Sequence, residues 1–228
     1  MNKQRLKQKE TPLGGEVSVY DYQSMGEEIA NSITHGIGIL FGIAALVLLI
    51  VFTDTNRTAW RITSFCVYGG ALIFLYVAST LYHSVRGQAK RIFRMLDHAA
   101  IYILIAGTYT PVTLILMRHT WWGWALFGAI WAMAIAGVIL KVFFVGRLRV
   151  LSVLFYLTMG WLVVVAFKPL TAMVSGGFIF WLLMGGACYT LSIIFYGWRK
   201  LPYHHTIFHV LVLAGSFSHF FGFFRYLT

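Results

Sequence analysis

Seven stretches of roughly twenty apolar residues, separated by short polar connections, leave this chain few ways to fold. A helix of that length spans a hydrocarbon core of about 30 Å, and it satisfies its own backbone hydrogen bonds there. The stretches predict helices over 33–53, 62–84, 97–117, 121–141, 150–168, 173–197 and 206–226. The expected fold is therefore all-α: a polytopic membrane protein, a seven-transmembrane helix bundle. A polar tail over 1–25 would precede a single transmembrane domain over 26–228. A soluble fold is excluded, because 59% of the residues are hydrophobic, 11% are charged and the mean hydropathy is +0.76. So little polar surface cannot cover a core. The tail has no apolar segment or cleavage site, so it reads as a tail and not as a signal peptide.

The net charge of +11 raises the question of nucleic acid. The basic residues are dispersed through the connections, with no basic helix or recognition motif, so no nucleic acid partner is expected. Their distribution carries topology instead. One side collects Lys3, Arg5, Lys7, Lys9, Arg86, Lys90, Arg91, Arg94, Lys141, Arg147, Arg149, Arg199 and Lys200, and the other Arg57, Arg61, Arg118, Lys168 and Arg225. The first side is heavier, which places the N-terminus in the cytoplasm and, after seven crossings, the C-terminus outside. Cys66 and Cys188 sit inside apolar runs and offer neither a disulfide framework nor a thiolate zinc site.

Gly38-x-x-x-Gly42, Gly69-Gly70 and Gly185-Gly186 read as seams where helices approach closely. Short connections make consecutive helices expected neighbours. Thr110-Pro111 should disturb the third helix, since proline lacks an amide hydrogen. The nearby Thr108, Tyr109 and Thr113 are expected to bond back to carbonyls around it.

Sorting the remaining polar residues by depth gathers them at one membrane face. Asn31 and His35 enter the first helix there, Ser79 and His83 leave the second, Asp97 and His98 begin the third, and His205 and His209 begin the seventh. All lie within about two helical turns, roughly 10 Å, of that face. His205 and His209 are one turn apart on one side of a helix, which is how a helix offers two imidazoles to one ion. His83 supplies a third at matching depth, and three imidazoles with an open position are the ligand set of a catalytic zinc site. Asp97 would hold or deprotonate water there, and Ser79 would bond a substrate carbonyl or that water. Asn31 and His35 are expected in supporting or packing roles, His98 and His204 at the interface, and His219, some 20 Å deeper than His205, as a buried bundle histidine.

These residues resemble the progestin and adipoQ receptor family, in its bacterial hemolysin III-like branch. The matching positions are Glu28-x-x-Asn31-x-x-Thr34-His35, Ser79-x-x-x-His83, Asp97, and His205-x-x-x-His209 running on to His219-Phe-Phe-Gly222. The resemblance implies a seven-helix fold with its N-terminus inside, and Zn2+ held by His83, His205 and His209 with Asp97 close by. The wider superfamily includes alkaline ceramidases, which share the Ser, His, Asp and paired-His pattern. The expected function is thus a zinc-dependent hydrolase of a lipid amide or ester, with a membrane lipid as substrate or ligand, at the cytoplasmic leaflet of a bacterial inner membrane. The alternatives are a non-enzymatic sensor or lipid-homeostasis protein with a structural zinc and, last, a hemolysin-type pore. No oligomeric partner is indicated.

Overall fold

The computed structural model describes residues 23–53, 58–144 and 148–228. Most of the expected tail, with Lys3, Arg5, Lys7 and Lys9, lies outside the described residues, as do Arg57 and Arg147 of the charge count. Among the described residues there is no strand, and seven helices are long and apolar enough to cross a membrane. They are α1 (Met25–Val51), α2 (Ala59–Ser84), α3 (Gly87–Leu116), α4 (Trp121–Phe143), α5 (Val150–Thr171), α6 (Gly176–Gly197) and α7 (His204–Leu227). The helix α3 is the most buried, followed by α2 and α7, while α1, α4, α5 and α6 turn most of their surface outward.

Four of the seven helices begin where a side chain takes an orphan amide. Ser24 and Glu27 form a reciprocal capping box at α1, and Thr58, Thr120 and Ser175 cap α2, α4 and α6. The inward face of α1 is the row Asn31, His35, Gly38, Gly42, Ala45 and Leu49, buried, while Ile33, Ile37 and Leu40 are exposed. Apolar residues outside and small or polar residues inside are what a lipid-facing helix requires. At Gly38 a Cβ would collide with the Tyr76 ring, so this seam of α1 on α2 exists only because the residue is glycine.

The helix α3 starts ten residues before the expected 97, because Gly87–Leu96 is an amphipathic polar extension that an apolar run does not include. Its α-helical part ends at Pro111 and passes into a π-helical turn over Val112–Leu116, with the Met117 amide bonded to the Val112 carbonyl at 3.2 Å. Proline removes one amide hydrogen, and the wider turn re-pairs the ladder beyond it. As expected, Thr108, Thr110 and Thr113 donate back to the carbonyls of Leu104, Ala106 and Tyr109, at 2.8, 2.9 and 3.0 Å. Tyr109 does something else, and reaches across to α5.

The fifth crossing is not one regular helix. It is α-helical over Arg149–Gly160, 3-10 over Leu162–Ala166 and α-helical again over Phe167–Thr171. The Tyr109 hydroxyl repairs this break: it donates to the Gly160 carbonyl at 3.0 Å and accepts from the Val163 amide at 2.8 Å. Unpaired backbone groups at this depth would otherwise be costly. The expectation that consecutive helices all pack as neighbours needs correction here. α5 touches α4 and α6 only sparsely, whereas α1 with α2, α2 with α3, and α6 with α7 pack along much of their length. A tie between α5 and α6 is the Trp161 indole donating to Thr190 at 3.0 Å.

Candidate metal centre

Four helix ends converge at one end of the bundle: the starts of α1, α3 and α7 and the end of α2. His83, His205 and His209 each offer a ring nitrogen there, and the three lie within 4.8 Å of one another. Small rotations of the rings would bring them to bonds of about 2.0–2.1 Å with one ion. The pair on α7 follows from its helical spacing. His83 reaches them because α2 ends beside the start of α7, its ring centroid 5.2 Å from that of His205 and 5.0 Å from that of His209.

The hydrogen bonds show which nitrogens remain. His83 Nδ1 donates to Glu28 Oε2 at 2.7 Å, which leaves Nε2 buried and without a partner. His205 Nε2 and His209 Nδ1 are likewise buried without one. Orphaned imidazole nitrogens this close together are an arrangement that suits a cation, and no hydrogen-bond partner among the described residues satisfies them. A carboxylate on the far nitrogen of a ligating histidine fixes its tautomer and raises its basicity. Glu28 also accepts from Lys90 Nζ at 2.8 Å, and Lys90 donates to the Tyr82 carbonyl at 3.1 Å. The residues therefore fit a metal ion.

Glu28 is the functional residue that the sequence reading left without a role. A first-turn acid of α1 looks like an ordinary helix start, and only the packing of α1 against α2 sets it beside His83. Its neighbour Glu27 ties α1 to α7 by accepting from the Tyr203 amide at 2.9 Å. Tyr203 caps α7 in the left-handed region at φ 55°, directly before His204 and His205.

Asn31 and His35 lie inside this centre. Asn31 is fully buried, accepts from Thr206 at 2.6 Å and donates to Gln23, and so bridges α1 to α7. The His35 ring stacks on His209 with centroids 3.6 Å apart and 9° between planes, and Tyr76 meets its edge. His35 thus forms the wall against which His209 is held, outside the group of three that can share an ion. Ser79 is fully buried one turn before His83, its hydroxyl without a partner.

A cavity of about 510 Å³ opens on the centre. His35, Asp97, His205 and His209 line it at this end, and it runs between α3, α5, α6 and α7 past Leu104, Val112 and Val212 to His219. Asp97 stands on its wall and is not among the three potential ligands. His98 and His204 line it too, where the sequence reading put them at the interface. His98 Nδ1 bonds to the Arg94 carbonyl at 2.7 Å and His204 Nδ1 to the Phe195 carbonyl at 2.9 Å.

Comparison with known proteins agrees with this architecture. Residues 23–220 match the family model described as Haemolysin-III related. A relative named Hemolysin-3 homolog, from Bacillus subtilis (strain 168), is 48% identical over 196 residues, 86% of this chain and 92% of its own length. Hemolysin-3 from Bacillus cereus is 48% identical over 200 residues, 87% of this chain and 91% of its own length. More distant is the Monocyte to macrophage differentiation factor of Homo sapiens, 29% identical over 216 residues, which covers 88% of this chain and 84% of that protein. This multi-pass integral membrane protein belongs to the haemolysin-III related family.

Proposed function

We propose that the protein is a zinc-dependent hydrolase of a lipid amide or ester, working in the cytoplasmic leaflet of a bacterial inner membrane. The observation that carries this reading is the union of two features: three buried, unpartnered imidazole nitrogens, and a cavity of about 510 Å³ that leads from them between the helices. Three protein ligands leave a fourth position for water or substrate, whereas structural zinc sites are closed by four. A zinc ion held there would polarise a carbonyl and make water acidic near pH 7.

The chain's own residues would do the rest. His83, with Glu28 behind it, and His205 and His209 hold the ion. The Asp97 carboxylate takes the proton of the attacking water, whose oxygen joins the acyl carbon as the bond to the leaving oxygen or nitrogen breaks. That leaving group receives the proton, which makes products of a carboxylic acid and an alcohol or amine. The apolar residues from Leu104 to Val212 suit an acyl chain, and the polar end sits at the end of α2 and in the first turns of α7, a depth that suits lipid carbonyls. A water-soluble substrate would need neither.

The test is purified protein with defined ester and amide lipids. His83→Ala or His205→Ala should lose both bound zinc and turnover, and Asp97→Ala should keep zinc and lose turnover by at least 100-fold, the scale of general base catalysis. Retained turnover after zinc removal sinks the proposal.

A second reading has an observation of its own: the three nitrogens come from α2 and α7, so an ion would cross-link them. If the protein is a sensor with structural zinc, His83→Ala lowers thermal stability while purified protein consumes no lipid. A pore would show instead as dye leakage from vesicles in proportion to the protein reconstituted.

A further inference from the structure

The far end of the cavity carries a second polar site. His219 lies on α7 fourteen residues after His205 and ten after His209, about 21 and 15 Å along the axis, and it lines the same cavity. It is 7% exposed. Its Nε2–H donates to the Leu182 carbonyl on α6 at 3.1 Å, so in the neutral ring the proton is on Nε2 and Nδ1 is an acceptor. That Nδ1 has no partner and is buried behind the ring's cavity-facing edge, so a ligand group meets it once the ring turns slightly toward the cavity.

The fold makes room for this ring. A Cβ on Gly185 of α6 would collide with the His219 imidazole, so the seam between α6 and α7 is shaped around it. One turn on, Tyr189 also lines the cavity, its ring centroid 5.5 Å from that of His219. The Tyr189 hydroxyl is hydrogen-bonded to Ser216 Oγ at 2.8 Å, and Ser216 Oγ also accepts from Tyr76 at 2.8 Å. A buried acceptor at this depth is costly unless something completes its hydrogen bonds. A single imidazole nitrogen does not hold a cation, and among the described residues no cationic side chain stands beside it to hold an anion. What an acceptor nitrogen beside a phenol takes is a neutral O–H group.

We infer that the cavity recognises a lipid at both ends, and that His219 Nδ1 accepts a hydrogen bond from a hydroxyl carried on the lipid's apolar chain, roughly 15–21 Å from the metal centre. The inference rests on the proposal that the cavity holds a lipid, and the test separates the two. Displacement of a fluorescent fatty acid from the purified protein compares palmitic acid with ω-hydroxypalmitic acid. The hydroxylated acid binds about 3- to 10-fold tighter to the wild type, the worth of one buried hydrogen bond. In His219→Phe this advantage disappears while palmitic acid binds as before. In His219→Gln, which keeps a donor for Leu182 and an acceptor for the ligand, it survives.

If neither acid displaces the probe, the lipid-filled cavity fails and this inference with it. If both bind the wild type equally, a water completes the site, and the inference fails while the lipid cavity stands. An advantage that persists in His219→Phe assigns the hydroxyl elsewhere and overturns the role of His219. Should neither variant fold, the 15N resonance of His219 Nδ1 in the wild type decides: the hydroxylated acid should shift it and palmitic acid should not, and equal shifts overturn the role of His219.

Discussion

The carboxylate of Glu28 takes two donors at once, His83 Nδ1 at 2.7 Å and Lys90 Nζ at 2.8 Å, and so binds the end of α2 and the start of α3 to the first turn of α1. Removing its charge weakens the hold on the His83 ring and leaves it freer to turn. Glu28→Gln should therefore weaken zinc binding by about 10- to 100-fold, read by competition with a chromophoric chelator. Unchanged affinity would mean that the ring is held by packing alone. At this scale the sequence is uneven. His205 and His209 are legible because four residues make one helical turn, a local rule. Their partnership with His83 is legible only through depth, given that α2 and α7 run in opposite directions. Glu28 is not legible as a partner of His83, since 55 residues separate them and nothing in either neighbourhood fixes the rotation of α1 about its axis. The stacking of His35 on His209 depends on that same rotation.

Within the elements, apolar run length finds the crossings, and local chemistry decides how regular they are. The effect of Pro111 is legible because proline always removes a donor. The break in α5 after Gly160 is not, for Leu162-Val-Val-Val-Ala166 reads as continuous helix or strand. It persists because Tyr109, on another helix, supplies both the donor for the Gly160 carbonyl and the acceptor for the Val163 amide. Tyr109→Phe deletes one oxygen and strands two backbone groups. Stability should fall by about 1–3 kcal/mol for the buried amide alone, measured by denaturant titration in micelles. Little change would indicate that α5 relaxes to a regular helix, and cysteine accessibility along 160–166 would then shift. The polar first turns of α3 were likewise invisible to a search for apolar runs, although Lys90, which they carry, belongs to the site.

Across the whole molecule, the candidate metal centre, the polar end of the cavity and most of the basic residues among those described occupy the same end. Among the described residues Arg86, Lys90, Arg91, Arg94, Lys141, Arg199 and Lys200 lie there, against Arg61, Arg118, Lys168 and Arg225 at the other. Cationic connections are retained on the cytoplasmic side, so the orientation expected from this asymmetry has the three histidines toward the inner leaflet. Single cysteines test it, in a background where Cys66 and Cys188 are replaced by alanine. Gln88→Cys and Lys200→Cys, both exposed at the histidine end, should react with a membrane-impermeant maleimide only after cells are permeabilised. His119→Cys, exposed in the connection between α3 and α4, should react in intact cells. The reverse pattern would move the imidazoles to the outer leaflet. A hydrolase there would draw on a different pool of lipids, and its zinc would come from the medium instead of the cytoplasm. On the proposed function the orientation would thus select both substrate pool and metal supply, although it alters no contact within the bundle.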